Sequence, residues 1–143
     1  MINNNAKIIN GIKHSKNLTD KIKELVLKSE KLNNRKPSIA VILIGENSAS
    51  EIYVKNKIKI AENIGIISKK ISYPSSISEK ELLNKINDLN EQKDIDGILV
   101  QLPLPIHISE DNVILSIDPK KDVDGFHPIN LGNLFLGNNN GMI

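Results

Sequence analysis

The stretch Pro37-Ser-Ile-Ala-Val-Ile-Leu-Ile-Gly45, PSIAVILIG, decides the fold. From Ile39 to Ile44 every residue is apolar and most are β-branched, with a proline before the run and a glycine after it. A strand with one wet face alternates polar and apolar residues. This run does not, so it predicts a strand buried on both faces, as in a parallel sheet covered by helices.

Working outward, Leu18, Ile22, Leu25, Val26 and Leu32 recur at helical spacing, which predicts a helix over 16–33, ended ahead of Pro37. Downstream, ENSAS offers capping residues for a helix from Ser50 to Asn63, followed by Gly65. IISKKISYP (66–74) predicts a half-exposed strand, and 78–90 a helix with Leu82, Leu83, Ile86 and Leu89 on one side. DGILVQLPLP (96–105) predicts a third buried strand running into a proline-rich turn. A short helix over 109–116, a loop DPKKDVDGFHP (118–128) and a last short helix over 129–136 complete the chain. Alternating helices and strands imply an α/β fold, a parallel sheet with helices on both faces in three layers. The chain stops just as it leaves a helix, after the asparagine-rich patch GNNNG, and we expect it to be a piece of something larger.

The totals narrow the function. With 143 residues the chain suits one domain with a real core. The absence of cysteine excludes disulfides, thiolate nucleophiles and cysteine-type zinc sites. No apolar run reaches the length of a membrane span, and MINNNAKIINGIKH has no apolar signal-peptide core, so a cytoplasmic protein is expected. Without an export signal, the sequon Asn17-Leu18-Thr19 reads as chance. The net charge of +2 rests on lysines, with Arg35 the sole arginine and few aromatics, which argues against a nucleic-acid partner. His14, His107 and His127 are scattered without carboxylates at ligand spacing, so no metal is expected, and His127 reads as a surface-loop residue.

Ligands of parallel α/β sheets gather at the carboxyl ends of the strands. Three segments fall there: the turn after Gly45, QLPLP, and KDVDGF. In the first, SEIYVKNK places Ser50, Tyr53 and Lys57 at i, i+3 and i+7 on one helical face. A solvated amphipathic helix is the plain alternative. A Tyr-x-x-x-Lys pair of the short-chain dehydrogenase kind is another, but G-x-G-x-x-G occurs nowhere in the chain. Likewise Gln101 could be merely a strand end, and Asp122 and Asp124 merely turn formers beside Gly125. The predicted topology instead brings lysine, tyrosine, glutamine and a carboxylate to one cleft.

Three blocks, VILIGENSASEIYVKNKIKIAENIGI, DIDGILVQLPLP and DPKKDVDGFHPINLGNL, stand in an order and spacing that resemble the substrate domain of the bifunctional methylenetetrahydrofolate dehydrogenase/cyclohydrolase family. The resemblance covers nearly everything from Ile39 to Leu134, and residues 1–38 fit the family's leading helix. It implies Lys57 as the catalytic lysine, Gln101 as its partner, and Tyr53 as the residue that packs on the folate. It implies Asp124 as the carboxylate that holds the pterin, and Ser50 as the helix serine near the site. Leu102 and Pro103 would form an apolar wall, and Gly125 would let the loop approach closely. The implied activity is NADP-dependent oxidation of 5,10-methylene- to 5,10-methenyltetrahydrofolate and hydrolysis to 10-formyltetrahydrofolate, in a homodimer. Residues 1–143 would be the folate-binding domain, with 119–143 leading toward a Rossmann-like NADP-binding domain missing from this chain. Dehydrogenase activity is then not expected of the chain alone. The alternative is a truncated fragment that binds folate or dimerises without turnover. For the hydrolysis an amine has to shed its charge near neutrality, whereas an ordinary lysine keeps it to about pH 10. Packing against Tyr53 and the positive charge of a methenyl folate both press that way. The Gln101 amide could point in either direction.

Overall fold

The computed structural model describes residues 9–138. Residues 1–8, the end of the GNNNG patch and the stretch 139–143 lie outside it. The elements are α1 (Gly11–Asn33), β1 (Ser38–Ile44), α2 (Ser48–Asn63), β2 (Ile67–Tyr73), α3 (Glu79–Glu91), β3 (Gly97–Val100), α4 (Glu110–Ser116) and α5 (Pro128–Phe135). The three strands form one parallel sheet in the order β2-β1-β3. The apolar run therefore lies in the centre, with Ser38 opposite Ile67 on one side and Ile39 opposite Gly97 on the other.

Alternation along β1 divides its side chains between two cores. Ala40, Ile42 and Ile44 pack with Leu82, Ile86 and Leu89 of α3 and Val113 of α4. Val41 and Leu43 pack with Leu99 and, from α2, Val54. Helices thus cover both faces, which is why β1 carries no polar alternation. Complete burial of aliphatics such as Ile42, Leu82 and Ile86 contributes about 1.5–3 kcal/mol each. The helix starts agree with their capping chemistry. Asn47 caps α2, Ser109 caps α4, and Ser78 with Glu81 forms a reciprocal capping box on α3.

Three elements differ from the sequence expectations. First, α1 begins at Gly11 rather than near residue 16, capped by Asn10, and Val26 is its only buried residue. Leu18, Leu25 and Leu32 stay exposed. The helix meets the domain where Val26 touches Gly65, whose left-handed φ of 93° and lack of a side chain permit the approach. Second, β3 ends at Val100, so Gln101 lies one residue beyond it, although its N–H still bonds to the Ile42 carbonyl at 2.9 Å. Third, α5 begins at Pro128, and His127, expected on the surface, is buried. Its Nδ1 accepts the Ile129 N–H, so the ring is consumed as a helix cap.

Candidate functional site at the carboxyl edge of the sheet

The inward stripe of α2 consists of Ser50, Val54 and Ala61. Ser50 therefore faces the sheet and not the cleft, and its N–H is taken by the Asn47 side chain at 3.0 Å. Tyr53 and Lys57 flank that stripe on the exposed side, Tyr53 with 63% of its surface open. The sequence expectation that Tyr53 partly buries the lysine is not met in this chain.

Lys57 reaches across to the end of β3. Its Nζ donates to Gln101 Oε1 at 3.2 Å, while Gln101 Nε2 donates to the Leu102 carbonyl at 2.8 Å. Only the amide nitrogen can donate to a carbonyl, so the second bond decides the orientation left open by the sequence: the amide oxygen faces the lysine. Leu102 lines a small, largely apolar hollow with Asp124 and Phe126, and Pro103 is exposed beside it.

The acidic loop is held along β3. Lys121 O accepts from Ile98 N at 2.7 Å, and Asp122 pairs with Ile98 in parallel fashion. Two residues further on, Asp124 lines the same hollow as Val100 at the end of the strand. Lys121 Nζ donates to the carbonyls of Leu89, Asn90 and Gln92, closing the carboxyl end of α3 and tethering the loop. Asp122 is buried and accepts from Gly125 N, His127 N and Asn130 Nδ2. Gly125 has φ 71°, so the glycine is required by backbone conformation. Asp124 makes no hydrogen bond among the described residues. Asp124 is exposed overall, and only the part of its side chain that lines the hollow is buried. That burial pushes its carboxyl above the usual carboxylate range, the charge of Lys57 pulls it partly back, and the neighbouring Asp122 charge adds to the rise.

The two acids of DVDG differ in their surroundings: Asp122 forms the turn, and Asp124 lines the hollow with Leu102 and Phe126. The structural roles of Asn130 and Lys121 were missed from sequence. The only signal was their proximity to Asp124.

The turn between β1 and α2 does not fit a dinucleotide phosphate. It holds a single glycine, Gly45, whose N–H is spent on the Tyr73 carbonyl. Glu46 and Glu51 bring two carboxylates to the helix start, where a phosphate would need donors and positive charge. Among the described residues there is no group of acids and histidines arranged for a metal ion, and no helix long and apolar enough to cross a membrane.

Residues 9–124 match the family model described as "Tetrahydrofolate dehydrogenase/cyclohydrolase, catalytic domain". A bifunctional protein FolD from Enterococcus faecalis is 50% identical over 135 residues, 92% of this chain and 47% of that protein. Among solved structures, a 5,10-methylenetetrahydrofolate dehydrogenase from the silkworm Bombyx mori superposes with a TM-score of 0.88 at 41% identity, over 92% of this chain and 45% of that one. The dehydrogenase-cyclohydrolase of Trypanosoma brucei, solved with NADP cofactor and inhibitor, superposes at 0.84 with 32% identity, over 90% of this chain and 44% of that one. The chain spans about half the length of the relatives it matches.

Proposed function

Because the chain belongs to the tetrahydrofolate dehydrogenase/cyclohydrolase family, we propose that it is the folate-binding, cyclohydrolase-bearing part of a bifunctional one-carbon enzyme. In this proposal the whole protein oxidises 5,10-methylenetetrahydrofolate with NADP and hydrolyses the product to 10-formyltetrahydrofolate. NADP is held by a further domain toward which 119–143 leads. The setting is a cytoplasmic homodimer.

The single observation that carries the proposal is the Lys57–Gln101 bond, which joins a helix to a strand end at the edge where ligands of such sheets bind. The hydrolysis adds water to the amidinium carbon of the methenyl cation. The C–N5 bond then breaks, N5 takes a proton, and one proton is released overall. In this proposal Lys57 carries that proton between water and N5. Gln101, pinned by the Leu102 carbonyl, keeps the amine aimed. Tyr53 offers an aromatic face to the folate, with Leu102 and Pro103 opposite. Ser50 acts through α2, by seating the helix start against the sheet. The planar N–H edge of the pterin suits two parallel hydrogen bonds to the Asp124 carboxylate, and those donors would repay its unfavourable burial. Gly125 lets the backbone turn beside it.

The test is hydrolysis of 5,10-methenyltetrahydrofolate by the full chain, followed by the loss of methenyl absorbance above the uncatalysed rate. Lys57→Met should lower turnover by about 10²-fold or more, the scale of a proton-transfer group. An unchanged rate would overturn the assignment. The exposure of Lys57 and Tyr53 favours a second reading, a chain that binds folate without turning it over. A folate-induced rise in melting temperature without catalysis would select that reading.

A further inference from the structure

We infer that Asp122 is a positioning residue for Asp124: its buried carboxylate gathers three N–H groups and so holds the 122–127 turn in the shape that presents Asp124 to the cleft. The inference rests on the proposed role of Asp124 in holding folate. Asp122 is 4% exposed. Its Oδ1 accepts from Gly125 N at 3.0 Å, and its Oδ2 from His127 N at 2.8 Å and Asn130 Nδ2 at 3.0 Å. All three partners are donors, so only an acceptor at both oxygens satisfies them. Asp124 lies inside the loop closed by the Gly125 bond, and it has no hydrogen bond of its own among the described residues. Gly125, with its left-handed φ of 71°, would otherwise be the freest point of the turn. Asn130 extends the clamp to α5 and also bonds to the Pro119 carbonyl at 2.8 Å, so both ends of the loop converge on one carboxylate.

The geometry makes the isosteric substitution informative. In Asp122→Asn the side chain keeps one acceptor and gains an NH2. Placed at the Oδ2 position, that NH2 would face two donors. Placed at Oδ1, it faces only Gly125 N–H. The amide therefore takes the second orientation, keeps His127 and Asn130, and releases Gly125, the contact next to Asp124.

The experiment combines amide hydrogen exchange with calorimetric binding of 5-formyltetrahydrofolate to the full chain. Asp122→Asn should speed exchange at Gly125 at least tenfold while the β1 amides exchange as in wild type. It should also weaken folate binding at least tenfold. In an Asp124→Ala background the same substitution should cost no further affinity, because its effect passes through Asp124. Retained protection at Gly125, wild-type affinity, or a loss that adds to that of Asp124→Ala would each overturn the inference. Accelerated exchange throughout β1 would also overturn it, by showing general destabilisation; Asn130→Ala, which leaves the Gly125 bond in place, should keep Gly125 protected. If the wild-type chain bound no folate, the proposed function would fall, and the Gly125 exchange would decide the clamp by itself.

Discussion

In the proposed mechanism Gln101 aims Lys57, and the orientation of its amide follows from one carbonyl. The amide nitrogen is committed to Leu102 O, so the oxygen is the only group left to meet the amine. In Gln101→Glu that donor is lost: one carboxylate oxygen would oppose the Leu102 carbonyl and the other would hold the ammonium as an ion pair. We expect hydrolysis of methenyl-folate to slow by roughly 10-fold or more, measured in the same absorbance assay. A glutamate variant as fast as wild type would remove the amide from the mechanism. That Lys57 and Gln101 would meet was legible in the sequence, because α2 and the end of β3 are brought to one edge by the topology. The amide direction was not, since it depends on the local path of 101–102. Ser50 is on the helix as expected, but it is buried at the helix start while Lys57, two turns further along the same side, is exposed.

At the scale of elements, the short strand β3 carries both the end that bears Gln101 and the edge along which the acidic loop lies. Gly97 makes the second possible. A methyl group there would overlap Val123 Cγ1 and crowd Ile39 Cγ2 at 3.2 Å. Val123 is β-branched and stands between the two acids, so it cannot yield without carrying the loop with it. Gly97→Ala should destabilise the domain by about 1–3 kcal/mol through overpacking and weaken folate binding. Denaturant midpoint and calorimetry would check this, and wild-type values for both would show that Val123 moves freely. The substitution Ser78→Ala, by contrast, removes one half of the α3 capping box, none of whose hydrogen bonds reaches the acidic loop. It should cost about 1 kcal/mol and leave binding intact. The capping box is local, spanning the four consecutive residues from Ser78 to Glu81. The need for Gly97 is not, because the side chain that forbids anything larger comes from Val123, 26 positions away in sequence. Helix α1 shows the reverse failure. Its periodicity predicted the helix correctly, but periodicity cannot say what covers the apolar stripe, and among the described residues only Val26 is buried.

For the whole molecule, carboxylates at different places in the fold pull its stability in opposite directions with pH. At the amino edge of the sheet, Asp96 accepts from Arg35 at 2.6 and 2.7 Å and from Ser38 N at 2.9 Å, fastening the chain ahead of β1 to the start of β3. The guanidinium holds the Asp96 carboxyl below its usual range. Its folded pKa is thus depressed. The stability it contributes is present above the unfolded value of about 3.9 and is lost as pH falls through the folded value. At the carboxyl edge Asp124 has the opposite sign, because burial raises its pKa. Its contribution is full below about pH 3.9 and is lost as pH rises through the raised folded value, so at neutral pH its charge costs stability. Asp124→Asn should therefore melt higher than wild type at pH 7, and the gap should close on acidification through the raised pKa. Asp96→Asn should melt lower at pH 7, by on the order of 1 kcal/mol given that both partners are partly exposed. That deficit should shrink only below about pH 4. Melting curves of the three proteins across this range would give two differences that vanish in separate pH windows. If Asp124→Asn were no more stable than wild type at pH 7, the carboxylate would not be held at a cost in the free protein. Its poise for the donors of a bound pterin would then have no energetic basis.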